Sequence, residues 1–252
     1  FVTLSGTTTV TRLFTATDRL NNPQPITAAP LVGRKPGTTE TWVFFGTGQF
    51  LNDGDIGTRG EQSWYGIIDG GTTISGRSNL VQRQIEAEVP RPPFIIRTIS
   101  AGSAADLTGR NGWYIDLVSP ARGAEGERMV LPNLFQGLVL IGSTRIPEVA
   151  DVCQPTGRGF IMAIDPFTGA RLENNFFDTN GDGRVNADDS VPVGGRNVVG
   201  SGLGFGDAAP NNPIFVGDVM QVSLDDASRA SIRTASAVLN VRRVSWRELL
   251  GD

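Results

Sequence analysis

Thr41-Trp42-Val43-Phe44-Phe45-Gly46-Thr47 is an unbroken apolar run closed by glycine and threonine, and its Val-to-Thr part returns 96 residues later as Val139-Leu140-Ile141-Gly142-Ser143. In both copies an Ile-Asp pair follows, its Asp 23 residues after the glycine: Ile68-Asp69 before Gly70-Gly71-Thr72, and Ile164-Asp165 before Thr168-Gly169. A third variant, Trp113-Tyr114-Ile115-Asp116-Leu117, lies between them and leads to Glu127-Arg128-Met129-Val130. A strand without polar alternation is one covered on both faces, and Asp-Gly or Thr-Gly at its end is turn chemistry. Recurrence of such a unit points to a radial or stacked all-β architecture, a β-propeller with quinoprotein-like blades. A blade takes roughly 40–50 residues, so the 96-residue spacing predicts two blades.

Phe1 to Asp18 reads as one or two strands and Asn21-Asn22-Pro23 as a turn, and Pro25 to Val32 leads to a loop from Gly33 to Thr39 broken by Pro36 and Gly37. Thr41 to Phe45 and Ser63 to Ile68 are strands. Val198 to Gly206 reads as a Gly-rich connector. Ile214 to Val216, Val219 to Leu224, Ala230 to Arg233 and Val238 to Trp246 are predicted strands, with a helix over Asp225 to Leu239 as the weaker option. No composition break divides the chain, so residues 1–252 read as one β domain.

Composition narrows the function. The chain has 252 residues, with 32 Gly, 15 Pro, 39% hydrophobic and 19% charged residues, a mixture suited to many short strands and tight turns. A net charge of −4 gives no electrostatic case for nucleic acid. The absence of His excludes a His-based triad, an imidazole base and His-ligated metals. Cys153, the sole cysteine, excludes an internal disulfide and Cys-rich metal sites, and reads as a thiol without a role. No apolar run is long enough to span a membrane, and Phe1 is not an initiator Met. The chain is therefore expected to be part of a longer precursor.

One stretch carries ligand chemistry. Asp178-Thr179-Asn180-Gly181-Asp182-Gly183-Arg184-Val185-Asn186-Ala187-Asp188-Asp189 places oxygen donors at positions one, three, five, nine and twelve: Asp178, Asn180, Asp182, Asn186 and Asp189. Gly183 is sixth, where the chain must turn sharply, and Arg184 offers its carbonyl at the seventh. That is the spacing of a calcium loop, residues 178–189. The plainer reading is an acidic hairpin turn without an ion. It is not an ordinary EF-hand: Gly169 to Phe177 has no helical stripe, and Pro192, Gly194 and Gly195 leave no room for a following helix. A Ca2+ site of this kind suits an extracytoplasmic setting.

Several of these stretches resemble a known family. Leu13 to Asp18 with Gln24 to Pro30, Phe44 to Leu51, Ser63 to Ile67, Gly112 to Leu117 with Gly126-Glu127-Arg128, and Val244 to Leu249 are similar to the C-terminal β-propeller of the PilY/PilC type IV pilus tip proteins. They occur in the family's order over nearly the whole chain. The resemblance implies the C-terminal part of a propeller, with upstream blades and a variable adhesive region outside residues 1–252. It also implies that Asp178, Asn180, Asp182 and the Arg184 carbonyl match the family's calcium ligands. The family loop usually has Asp ninth, where this chain has Asn186, and Asp188 or Asp189 is then needed to restore the charge. The implied role is at the cell surface, at the pilus tip above the minor pilins, reached in transit through the periplasm or outer membrane. There the family supports pilus assembly, adhesion to host surfaces and twitching motility in a calcium-dependent way.

The alternative is an enzyme, since quinoprotein dehydrogenases also join Gly-rich propeller repeats to calcium. Against it stand the missing His and vicinal cysteines and the gathering of carboxylates in one loop. A dockerin module would need a second loop and helices. Asn52-Asp53-Gly54-Asp55 lacks the later ligands and reads as a turn, and Asp116 with Glu127 and Arg128 reads as strand-end ion pairing. Trp42, Trp64, Trp113 and Trp246, about one per motif, read as blade packing rather than a sugar platform.

Overall fold

The structure is a computed structural model that describes residues 2–3, 9–148 and 157–235. Among them every regular element is a strand or a short 3-10 turn. Among the described residues, no helix is long and apolar enough to cross a membrane. Cys153, Trp246 and the expected strand Val238 to Trp246 lie outside the described residues, as does the end of the helix option beyond Ala235. Within that option Arg229–Arg233 is a strand.

The two copies of the apolar repeat form the centres of two sheets. In the first sheet the spatial order is Leu31–Arg34, Thr41–Gly46, Ser63–Asp69, Gly112–Asp116 and Val81–Arg83, antiparallel except for the last pair. The second runs Leu134–Gln136, Val139–Ser143, Phe160–Ile164, Gly202–Gly204, Phe94–Ile99 and Ile85–Arg91, antiparallel throughout. A three-stranded meander follows: Ile214–Val216, Val219–Ser223 and Arg229–Arg233.

Continuous hydrophobicity in the repeats follows from burial on both sides. Trp42, Phe44, Trp64 and Trp113 face the second sheet, where Leu140, Phe160, Met162 and Ile164 meet them. Their neighbours Val43, Phe45, Tyr65 and Ile67 face the other way, under Ala16, Ile74 and Leu80. On the far side of the second sheet Ile141, Ile161, Ala163 and Leu203 pack on Met220, Val222 and Ile232 of the meander. Sheets stacked face to face, each greasy on both surfaces, are what the repeat predicts. Trp42, Trp64 and Trp113 are core: Trp64 and Trp113 meet edge to face at 5.8 Å, and Trp42 stacks on Phe44.

The repeat glycine has a packing cause. A Cβ on Gly46 would lie 2.2 Å from Met129 Cβ, and one on Gly142 2.4 Å from Met129 Cε. Both glycines therefore clear space for one methionine between the two sheets.

Three expectations need correction. The 96-residue spacing is one step between adjacent sheets, not two, because the Trp113 strand joins the first sheet beside Ser63–Asp69 instead of founding its own. Long excursions enlarge the unit, among them the Ile85–Arg91 and Phe94–Ile99 hairpin that extends the second sheet. The Gly-rich connector Val198 to Gly206 contains a central strand, Gly202–Gly204. Its glycines admit large neighbours, since a Cβ at Gly202 would fall 2.4 Å from Met162 Sδ and one at Gly204 2.8 Å from Phe160 Cε1. The expected loop Gly33 to Thr39 starts later, because Gly33 and Arg34 belong to the strand Leu31–Arg34.

Candidate cation-binding loop

Residues 178–189 lie where the second sheet meets the meander. Phe176 and Phe177 are buried at its entry. Asp178 N donates to Arg233 O at 2.9 Å and Ala235 N to Phe176 O at 2.7 Å, so the entry is laced to the last strand of the meander. After the loop, Val191–Val193 turns back on Arg196–Val198 as a hairpin. Irregular chain with a single bridge from Phe177 to Thr234 on the way in, and a hairpin on the way out, leave no EF-hand helix on either side.

Inside the loop each predicted donor holds a local backbone turn. Asp178 Oδ1 accepts from Gly181 N at 2.7 Å and its Oδ2 from Gly183 N at 2.8 Å. Asn180 Oδ1 accepts from Asp182 N, Asp182 Oδ1 from Arg184 N, and Asn186 Oδ1 from Asp188 N, at 2.9, 2.8 and 2.7 Å. Such side-chain-to-backbone turns at alternate residues curl the chain. Gly181 and Gly183 take φ of +75° and +79°, the left-handed conformation that the sharp bend demands.

The loop's two ends close through Asp189. Its Oδ1 accepts from Thr179 N at 2.7 Å and its Oδ2 from Asn186 N at 2.8 Å, the latter completing a capping box over the 3-10 turn Ala187–Asp189. Asp189 is fully buried, whereas Asp188 is exposed and contributes its carbonyl to Arg91. Of the two candidate carboxylates, Asp189 is thus the one turned into the loop. Asn180, Asp182, Arg184 and Asn186 form an exposed rim above the buried Asp178 and Asp189.

The electrostatics are unusual for so acidic a segment. Among the described residues, no Arg or Lys nitrogen lies within 4.0 Å of the carboxylates of Asp178, Asp182, Asp188 or Asp189. Asp178 accepts from two backbone N–H groups, and Asp189 Oδ1 from Thr179 N, Asn180 N and the Thr179 hydroxyl, so the two buried carboxylates are left to uncharged donors. Among the described residues, no three His, Cys, Asp or Glu side chains converge as a metal cluster. A cation here would draw on mixed oxygen donors, carboxylate, amide and carbonyl, a set that suits calcium and not zinc. A cleft of about 390 Å³ opens beside the loop, lined by Asp178, Asn180, Phe94, Val219 and Arg233.

The other candidates are structural. Asn52 and Asp55 form a capping box, and Asp55, buried, accepts from Leu51 N, Asn52 N and Gln49 Nε2. The Leu51 N–H, then Gln49, holds its carboxyl below the ordinary value. Asp116, Glu127 and Arg128 do not meet as a site. Asp116 pairs with Arg77 and Ser63, Glu127 with Arg97, and Arg128 donates to the carbonyls of Gln49, Asp55, Thr58 and Gly126. Sequence reasoning missed Arg91 and Asn175, which hold the loop from outside. Arg91 lies 97 residues from Asp188, and no local pattern announces such a partner.

Comparison with known proteins agrees with this architecture. A family described as the PilY1 beta-propeller domain matches residues 4–88. A Type IV pilus biogenesis factor PilY1 homolog of Xylella fastidiosa is 46% identical over 96% of this chain and 19% of its own length. Type IV pilus biogenesis factor PilY1 of Pseudomonas aeruginosa is 28% identical over 75% of this chain and 18% of its own. The chain thus spans about a fifth of the length of these relatives. The crystal structure of the Pseudomonas aeruginosa PilY1 C-terminal domain superposes with a TM-score of 0.69 at 24% identity, covering 88% of this chain and 48% of that one.

Proposed function

Because this chain belongs to the PilY1 β-propeller family, we propose that it serves type IV pilus biogenesis as a structural and interaction segment, with no catalytic part. Its place is the cell surface, at the pilus tip, where it contacts minor pilins and supports adhesion and twitching motility. The relatives' naming as pilus biogenesis factors supports this reading. So does the chemistry of the other candidate carboxylates, since Asp116 and Glu127 are spent on ion pairs and Asp55 on a cap.

The loop 178–189 is proposed to bind Ca2+, and the observation that carries this is the buried pair Asp178 and Asp189 without a cationic partner. Bound calcium would supply the missing positive charge. Asp178, Asn180, Asp182, the Arg184 carbonyl, Asn186 and Asp189 would hold it. Their side chains already fold the backbone into the required curl, so little further ordering is needed. Without a cation, the buried Asp178 and Asp189 and the rim Asp182 repel one another, and the loop's contact with the meander is the part that loosens.

The test is a thermal melt with calcium against chelator, on this chain and on Asp182→Ala. Calcium at a hundredfold excess over Kd stabilises by about 2.7 kcal/mol. The parent melt should rise with calcium, and Asp182→Ala should lose most of that rise. Identical parent melts in calcium and chelator would overturn the reading.

A further inference from the structure

Arg91 ends the Ile85–Arg91 strand at the edge of the second sheet, and its guanidinium crosses to the back of the 178–189 loop. Nη2 donates to Asp188 O at 2.8 Å and Nη1 to Ser190 O at 3.1 Å, the carbonyls on either side of Asp189. Among the described residues, no carboxylate lies within 4.0 Å of it. Asn175 works from the opposite side, its Nδ2 donating to Asn186 O at 2.7 Å and Ser190 Oγ at 2.9 Å.

From this we infer that Arg91 is a positioning residue for the cation loop, acting through Asp189; the inference rests on the proposed calcium site. The choice of acceptors is the argument. A guanidinium paired with Asp178 or Asp189 would compete with a cation for the same oxygens. Arg91 grips two carbonyls instead, holding the backbone of the residue before Asp189 and of the residue after it and leaving the Asp189 carboxylate facing the loop. Its planar fork spans both carbonyls at once, which a lysine ammonium cannot do with the same geometry. The clamp also joins the loop to the second sheet. By linkage, whatever calcium gains from a held Asp189 the sheet edge gains from calcium.

Calcium titration by calorimetry on this chain, Arg91→Ala and Arg91→Lys, paired with melts in calcium and in chelator, tests it. Loss of two hydrogen bonds from a charged donor should weaken calcium binding about tenfold in Arg91→Ala. Arg91→Lys should fall between that variant and the parent, and it serves alone should the alanine variant not fold. The calcium-dependent rise in melting temperature should shrink in the same order. Unchanged calcium affinity, with melts lowered equally in calcium and chelator, would make Arg91 a structural tie only and overturn the inference. A parent chain that binds no calcium would instead sink the calcium site itself, a result the titration reads separately.

Discussion

Asn186 occupies the ninth position of the loop, where the family pattern has Asp. Its Oδ1 caps the Ala187–Asp189 turn by accepting from Asp188 N at 2.7 Å. Asp caps as well as Asn, so Asn186→Asp should keep the turn while adding one negative charge to the rim. A unit charge 4 Å from a divalent ion in a water-like medium interacts by about 2 kcal/mol. Calcium affinity should therefore rise about thirtyfold, while the melt in chelator falls because five acidic groups then crowd one loop. Calorimetric titration and paired melts read both effects. Calcium affinity no higher than the parent's would show that position nine does not face the ion. At this scale the donors were legible because alternate oxygens and Gly183 follow a local rule. Choosing between Asp188 and Asp189 needed burial and the reach to Thr179 N, which adjacent residues of the same type do not reveal.

The apolar strands show how a packing constraint is written as glycine. Gly142 sits opposite Met162 in the ladder, and a Cβ there would lie 2.4 Å from Met129 Cε and 2.9 Å from Trp64 Cζ2. Overfilling a packed site costs about 1–3 kcal/mol, so Gly142→Ala should lower the denaturant midpoint by a matching amount. Gly70→Ala is the control: nothing lies within 4 Å of a Cβ there, and the change should stay within about 0.5 kcal/mol. Equal effects of the two would refute the packing account. Repeat glycines were legible as strand ends, whereas the Gly202–Gly204 strand was not. A strand that donates space and no side chains carries no hydrophobic signal, and its identity comes from Met162 and Phe160, some 40 residues away.

Across the whole molecule the sheets are joined by a buried ionic centre as well as by hydrophobic packing. Arg97, fully buried, takes bidentate hydrogen bonds to Glu127 at 2.6 and 2.9 Å, a second carboxylate from Glu88, and the face of Phe160 at 3.5 Å. The Glu127 segment reaches the first sheet two residues on, where Met129 N donates to Thr47 O at 2.9 Å. Removing one partner of a buried pair strands the other, so Glu127→Ala should cost about 3–5 kcal/mol in a denaturant titration. A loss under about 1 kcal/mol would mean that Glu88 suffices. By itself the sequence determined the all-β class, the doubly buried central strands and the acidic loop, since each rests on spacing between near neighbours. Only the tertiary structure decided that the two repeats are adjacent sheets, that Glu127 belongs to Arg97, and that Arg91 holds the loop. Those contacts join residues 30 to 97 positions apart, and chain reversal over such distances is settled by which faces pack, not by any local pattern.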